Sequence, residues 1–277
     1  MINLAVRGHD LAPIDGIEDL TQKIQGMGIS NVQLSLPASF PNLPSDTQNI
    51  NPGLGTYIKN AFADSAIQIA VLSCYINIIH PDLEMRETLL RKFESYVKNA
   101  KYFGASMVAT ETGNVFEEIQ FTEDNFTDDV FEMTIQVIKR LVKVGENHQT
   151  LIGIEPGLNH PLHAIQSVSE LISRVPSDFL GIILDVTNLI CLDTYQNYQA
   201  ILEEAFEAFG DKIIAIHLKD FKIDDGKIIP VDLGTGLLDI KNALDFIKQR
   251  KPYLYIVMEE TKNDAISEAK KLVEGYQ

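Results

Sequence analysis

Four stretches of this 277-residue chain end an apolar run in an ionisable group: LIGIE stops at Glu155, LGIILD at Asp185, KIIAIH at His217 and LYIVME at Glu259. Side chains alternate between the two faces of a strand. Gly153 therefore shares a face with Glu155, Ala215 with His217, Ile183 with Asp185 and Val257 with Glu259. The same rule puts Ala5 with Arg7 and Ala109 with Glu111. A single acidic residue after a strand is ordinarily a helix cap or a solvated charge. Carboxylates and an imidazole repeated at successive strand ends are different. Brought together away from water, they repel one another unless a cation offsets their burial. Three carboxylates and one imidazole suit Mn²⁺ or Mg²⁺ best, with Zn²⁺ and Co²⁺ also compatible.

The elements that must position these groups follow a regular rhythm. Strands are expected at 2–7, 31–36, 68–73, 106–110, 151–155, 180–185, 212–217 and 254–259. Between them lie segments of helical period. MRETLLRKFESYVKNAKYFG places Leu89, Phe93, Tyr96, Val97 and Ala100 on one stripe and stops at Gly104. NFTDDVFEMTIQVIKRLVKVGENH, PLHAIQSVSELISRV, YQAILEEAFEAFG, LLDIKNALDFIKQR and DAISEAKKLVEGY are amphipathic as well. Strands alternating with helices at this length predict an α/β fold, a (β/α)8 TIM barrel occupying residues 1–277 as a single domain. A doubly wound open sheet would show a glycine-rich turn after its first strand, and RGHDLAP has none. In a barrel the last inward residue of each strand points into the C-terminal mouth, where active sites sit. The strands ending in Glu155, Asp185, His217 and Glu259 are consecutive, so their side chains can converge.

Composition narrows the function classes. A net charge of −16 disfavours nucleic acid, because phosphate binding needs a basic surface. No apolar run has the length of a membrane-spanning helix, and MINLAV lacks a basic region and a cleavage site. The two cysteines, Cys74 and Cys191, form no metal or disulfide pattern, which points to a cytoplasmic protein.

The motifs GIEPG, ILDVTN, IHLKD, LGTG and VMEE, in this order and spacing, resemble the sugar phosphate isomerase/epimerase family. This is the xylose isomerase-like barrel superfamily, which includes D-tagatose 3-epimerase and endonuclease IV. The similarity runs from VRGHD to VMEET. It implies one divalent metal held by Glu155, Asp185, His217 and Glu259, with Glu155 and Glu259 also forming the catalytic acid/base pair. Glu260 is expected to leave on the opposite face of its strand. The family's D-x-x-H reads DVTN here, so Asn188 replaces a histidine. An amide can bind a sugar hydroxyl but is a poor metal ligand, which weighs against a multinuclear, endonuclease-like site. The arginine common after the seventh strand is missing, and LKDFKIDDG offers Lys219 and Lys222.

The implied reaction is proton abstraction alpha to a sugar carbonyl through an enediolate, giving epimerisation or aldose–ketose isomerisation. The expected partner is a small sugar or sugar phosphate; neither nucleic acid nor membrane is expected, and homo-oligomerisation stays open. The alternatives are an endonuclease IV-like phosphodiesterase and a metal-binding barrel without turnover. Substrate contacts are expected from Arg7, His9, Tyr75, Glu111, His160, Asn188 and Lys219. Arg7 is expected either to pair with Glu111, to grip a substrate anion or to form a buried ion pair. His163 is expected to open a helix facing solvent. The loop DLGTGLLD is read mainly as a tight turn, with phosphate binding as the alternative.

Overall fold

The structure is a computed structural model that describes residues 2–276. Chain order runs β1 (Asn3–Arg7), β2 (Asn31–Ser35), β3 (Gln68–Ser73), β4 (Met107–Glu111), β5 (Leu151–Glu155), β6 (Leu180–Leu184), β7 (Ile213–Leu218), β8 (Asp220–Asp224), β9 (Lys227–Val231) and β10 (Tyr255–Met258). All but β8 and β9 form one closed parallel barrel, in which β10 pairs with both β7 and β1. The expected strands are therefore present to within a residue or two, and the fold is a (β/α)8 barrel. β8 and β9 form a separate antiparallel hairpin that projects from the mouth directly after β7.

The helices wrap the outside. They are α1 (Ile17–Gly26), the single turn α2 (Leu36–Ser39), α3 (Pro52–Asp64), α4 (Leu83–Phe103), α5 (Asp128–His148), α6 (Ile165–Arg174), α7 (Tyr198–Phe209), α8 (Ile240–Arg250) and α9 (Ala265–Gly275). Local chemistry sets their limits. Asp82 accepts from the Met85 amide at the start of α4, and Gly104, at φ 72°, ends it in the left-handed conformation that glycine adopts without strain. The buried stripe of α4 uses Leu90 with Phe93, Tyr96, Val97 and Ala100, while Leu89 is half-buried. The acidic residues at the entry to α5, Glu123, Asp124, Asp128 and Asp129, are exposed. There Thr127 caps the helix, and Asp128 and Asp129 sit in its first turn, where the helix dipole favours negative charge.

Two apolar layers result. The larger lies between strands and helices. The smaller fills the barrel with Val71, Met107, Ala109, Ile183 and Ala215. Its crowding explains the small inward residues. A Cβ on Gly153 would lie 3.0 Å from Ile183 and 3.5 Å from the Ala109 Cβ. The interior is thus packed solid below the mouth, and polar groups have room only above it. No helix of the described residues is long and apolar enough to cross a membrane. Both cysteines are free thiols, Cys74 buried and Cys191 exposed.

Candidate metal centre

Glu155, Asp185, His217 and Glu259 meet at the mouth, each buried, and one ligand atom from each lies within 4.8 Å of the others. His217 Nδ1 is 2.6 Å from Glu259 Oε2 and 3.3 Å from Glu155 Oε1. The imidazole is fixed from behind: its Nε2 bonds Gln33 Oε1 at 2.8 Å. Donation by Nε2 to that oxygen leaves Nδ1 directed at the carboxylates, the tautomer a metal requires. Gln33 is 2% exposed and comes from the middle of β2. The sequence reading passed over it. The signal was there, because Asn31, Gln33 and Ser35 alternate as a polar stripe in NVQLS, on a strand buried on both sides.

The carboxylates are oriented as firmly. Tyr75 Oη donates to Glu155 Oε2 at 2.5 Å and Asn188 Nδ2 to Glu155 Oε1 at 2.8 Å. Asp185 Oδ1 accepts from the Thr187 amide at 2.8 Å. Glu259 Oε1 accepts from Arg7 Nη1 at 2.9 Å and Lys219 Nζ at 3.1 Å. Lys219 Nζ also lies 2.7 Å from Asp185 Oδ2 and donates to Asn188 Oδ1 at 2.7 Å. Burial opposes protonation of His217, yet the Glu155 and Glu259 carboxylates outweigh it and push the imidazole up to about 10. Burial pushes Asp185 up to about 6 against the pull of the Lys219 ammonium. Burial also works against ionisation of Glu155 and Glu259, but His217 and Lys219 hold both below the usual carboxylate range.

These residues fit a divalent cation. Asp185 Oδ2, His217 Nδ1 and Glu259 Oε2 are buried atoms that make no well-aligned hydrogen bond among the described residues; they meet only charged neighbours, Lys219 Nζ and one another, and all three belong to the four-residue cluster. Buried polar atoms are almost always satisfied. Three carboxylates and one imidazole nitrogen form a donor set that a hard or borderline cation would satisfy.

The remaining expected mouth residues are all at the mouth, in two cavities. One, of 270 Å³, is lined by Arg7, His9 and Tyr75 together with Glu155, His217 and Glu259 of the cluster. The other, of 260 Å³, is lined by His160, Asn188 and Lys219, and Glu111 lines both. A larger groove of 440 Å³ beside Phe40, Leu43 and Tyr57 lies away from the strand ends that carry the cluster.

Several expectations need correction. Arg7 does not pair with Glu111. It bonds Asp10 through Nε at 2.8 Å and Nη2 at 2.9 Å, and also bonds Glu259 and Glu260. This is the buried ion pair among the alternatives. Glu111 instead lies 3.4 Å from His160 Nε2. Glu260 does not leave on the outer face. β10 has ended at Met258, Glu260 takes φ 56°, and its side chain turns back to accept from Arg7 Nη2 at 2.8 Å. His163 is half-buried and stacks on Phe126 at 3.8 Å between ring centroids. The glycine-rich loop is a turn wrapped round a carboxylate. Asp220 accepts from the amides of Phe221, Gly234, Gly236 and Leu238 at 2.8–3.0 Å. Those amides are taken, so they form no phosphate cradle.

A closed parallel barrel with a buried acid and imidazole cluster on consecutive strand ends defines a class, that of the xylose isomerase-like barrels. The sequence matches the model of the xylose isomerase-like TIM barrel family over residues 22–276, and the chain belongs to that family. Among curated proteins none matches the sequence. Solved structures do. A D-tagatose 3-epimerase-like protein is 16% identical, with 99% of this chain and 97% of that one covered and a TM-score of 0.75. The 3-keto-D-glucoside 4-epimerase of E. coli is 14% identical, with 100% and 99% covered and a TM-score of 0.73. The IOLI protein, solved with a zinc atom, is 17% identical, with 100% and 99% covered and a TM-score of 0.74. At these identities the likeness is one of fold.

Proposed function

We propose that this protein is a metal-dependent sugar isomerase or epimerase that moves a proton at a carbon alpha to a carbonyl. The observation that carries this reading is the convergence of Glu155, Asp185, His217 and Glu259 donor atoms within 4.8 Å at one barrel mouth. The epimerase names of two structural neighbours support it. A divalent cation held by the four would polarise the substrate carbonyl and its neighbouring hydroxyl. Glu155 and Glu259 are the acid/base pair that takes and returns the proton. Tyr75 and Asn188 fix both oxygens of Glu155, while Arg7 and Lys219 fix one oxygen of Glu259. Return of the proton to the opposite face gives epimerisation; delivery to the neighbouring carbon gives isomerisation. The cations of the mouth are already engaged by acids, and Asp220 holds the glycine-rich loop amides. Both features favour an unphosphorylated sugar.

Metal content tests the first half of the proposal. Glu155→Gln and His217→Ala should each bind Mn²⁺ far more weakly than the wild type, and wild-type metal content in both variants would remove the site. Turnover tests the second half. In heavy water, a panel of ketoses and aldoses should contain one sugar that gains deuterium beside its carbonyl. At saturating Mn²⁺, Glu155→Gln and Glu259→Gln should each slow that exchange by roughly 10²-fold or more, the scale of general acid/base catalysis. A metal-loaded protein that exchanges no sugar would be a binding barrel.

A further inference from the structure

The carboxylates around the cluster are each held by donors, with one exception. Glu155 accepts from Tyr75 and Asn188, Asp185 from the Thr187 amide, and Glu259 from Arg7 and Lys219. Asp10 and Glu260 both accept from Arg7. Glu111 has one polar partner among the described residues, His160 Nε2, at 3.4 Å from Oε1. Its side chain is 31% exposed, against 2% for Glu155 and 0% for Asp185. Glu111 ends β4 and shares a face with Ala109, which packs inside the barrel. An inward residue at a strand end meets solvent only at the mouth, and Glu111 lines both cavities there. The carboxylate that the protein leaves short of donors thus borders the space a ligand fills.

The partner of Glu111 is itself fixed. His160 is buried, and its Nδ1 lies 2.8 Å from the Gly113 carbonyl. Donation there directs Nε2 at Glu111. Burial opposes protonation of the ring, but the Glu111 carboxylate and the Gly113 carbonyl outweigh it and raise the imidazole above its ordinary range. Gly113 is locked in turn. It takes φ 82°, and a Cβ there would fall 2.1 Å from Asn77 Oδ1, which accepts from the Asn114 amide at 3.0 Å. The imidazole therefore serves one oxygen of Glu111 and leaves the other unserved. An ionised carboxylate only accepts hydrogen bonds, at about four lone-pair sites. What this one lacks is donors, and hydroxyl groups supply them.

We infer that Glu111 is a specificity-determining residue whose carboxylate accepts two neighbouring hydroxyls of the substrate, beyond the reacting carbonyl. The inference rests on the sugar-binding part of the proposed function and adds which feature of the sugar is read. Glu111 and Glu155 are register partners on β4 and β5, and adjacent strands run about 4.8 Å apart. A sugar held with its carbonyl end at Glu155 extends its hydroxylated chain across that distance to Glu111. Two vicinal hydroxyls match the two oxygens of a carboxylate, and the match depends on their relative configuration. A phosphate or carboxylate in the same place would bring acceptors to an acceptor. The substrate is therefore neutral at this end and is recognised by the direction in which its hydroxyls point.

The test reads binding, so it does not depend on turnover. Mn²⁺-loaded protein is titrated calorimetrically with D-fructose, D-psicose, D-sorbose and D-tagatose, which share their carbonyl end and differ only in configuration further along. The wild type should separate the tightest from the weakest by roughly tenfold or more, the scale of one hydrogen bond to a charged group. Glu111→Ala should bring the sugars toward one affinity, and Glu111→Gln, which keeps one acceptor, should fall between. Mn²⁺ affinity should stay at the wild-type value in both variants, because Glu111 lies outside the four-residue cluster; this also reports that they fold. Equal affinities for the wild type overturn the inference, as does discrimination that survives Glu111→Ala, or a wild type that binds none of these sugars. Weaker Mn²⁺ binding in both variants would make Glu111 part of the metal site and overturn it as well. Tighter binding of D-glucosamine than of D-glucose and all the ketoses overturns the hydroxyl assignment in favour of an ammonium. Failure of sugar proton exchange with the discrimination intact would end the catalytic reading and leave the role of Glu111 standing.

Discussion

Gln33 shows how much of the site depends on groups that never touch a ligand. Its amide oxygen fixes the His217 ring, and loss of such a partner typically costs a metal site 10–100-fold in affinity. Gln33→Leu should therefore weaken Mn²⁺ binding by about that range while leaving the four first contacts in place. Unchanged affinity in a metal titration would show that ring orientation comes from packing alone. The four strand-end residues were legible because alternation within one strand decides which way each points. Glu260 was misjudged by the same rule, applied two residues past the end of its strand. Once the backbone takes φ 56°, alternation no longer says where a side chain goes. Arg7 was half legible. Its place at the mouth follows from β1, but its partners Asp10 and Glu260 sit in turns whose shape no strand pattern encodes.

At the scale of elements, the β8–β9 hairpin was the largest miss. Its turn was written plainly: Asp225 and Gly226 both take positive φ, 47° and 67°, the tight hairpin turn that Asp-Gly favours. Solvent on most of its residues hid the alternation, and Pro230 argued against a strand except at an edge, which is where it lies. The loop that follows is fastened to Asp220. A Cβ on Gly236 would fall 2.3 Å from both Asp220 Oδ1 and the Phe221 carbonyl. Gly236→Ala should cost about 1–3 kcal/mol in urea unfolding, the scale of forced overpacking. A neutral result would mean that the loop shifts freely. On the outer shell, Arg140 of α5 holds Glu87 of α4 at 2.6 and 3.0 Å and Glu94 at 2.7 Å. Hydrogen bonds from Arg140 and Arg91 hold the Glu87 carboxyl down to about 2. Because the folded value lies below the ordinary one near 4.5, this stabilisation is present above that pH and fades as pH falls toward 2. The pair is part-exposed, so its worth is below about 1 kcal/mol. Arg140→Ala should lower Tm slightly at pH 7, with the gap to wild type narrowing between pH 5 and pH 3. A gap that widens on acidification would contradict this.

For the whole molecule, cation binding and folding are one equilibrium. A ligand that binds only the folded chain stabilises it by about 2.7 kcal/mol at a hundredfold excess over Kd. For a domain of this size that is about 5–10 °C in Tm. Mn²⁺ should raise Tm on this scale, a chelator should reverse it, and His217→Ala should abolish the response. A rise of equal size in His217→Ala would place the stabilising ion elsewhere on this acidic surface.

The seam between β1 and β10 sets when this centre can come into being. Arg7 and Glu259 are bonded across 252 positions of chain, and β1 finds its partner on that side only in the last strand of the barrel. During synthesis the first strands therefore emerge with one edge unpaired, and the last carboxylate of the cluster arrives after the other two carboxylates and the imidazole. The barrel must close before the cluster is complete, so a nascent chain halted anywhere before β10 has neither a sealed sheet nor a finished site. Long-range pairing of this kind is slow and leaves strand edges exposed to other chains. Yield of folded protein should accordingly be most sensitive to temperature and expression rate, long before any residue of the mouth is altered.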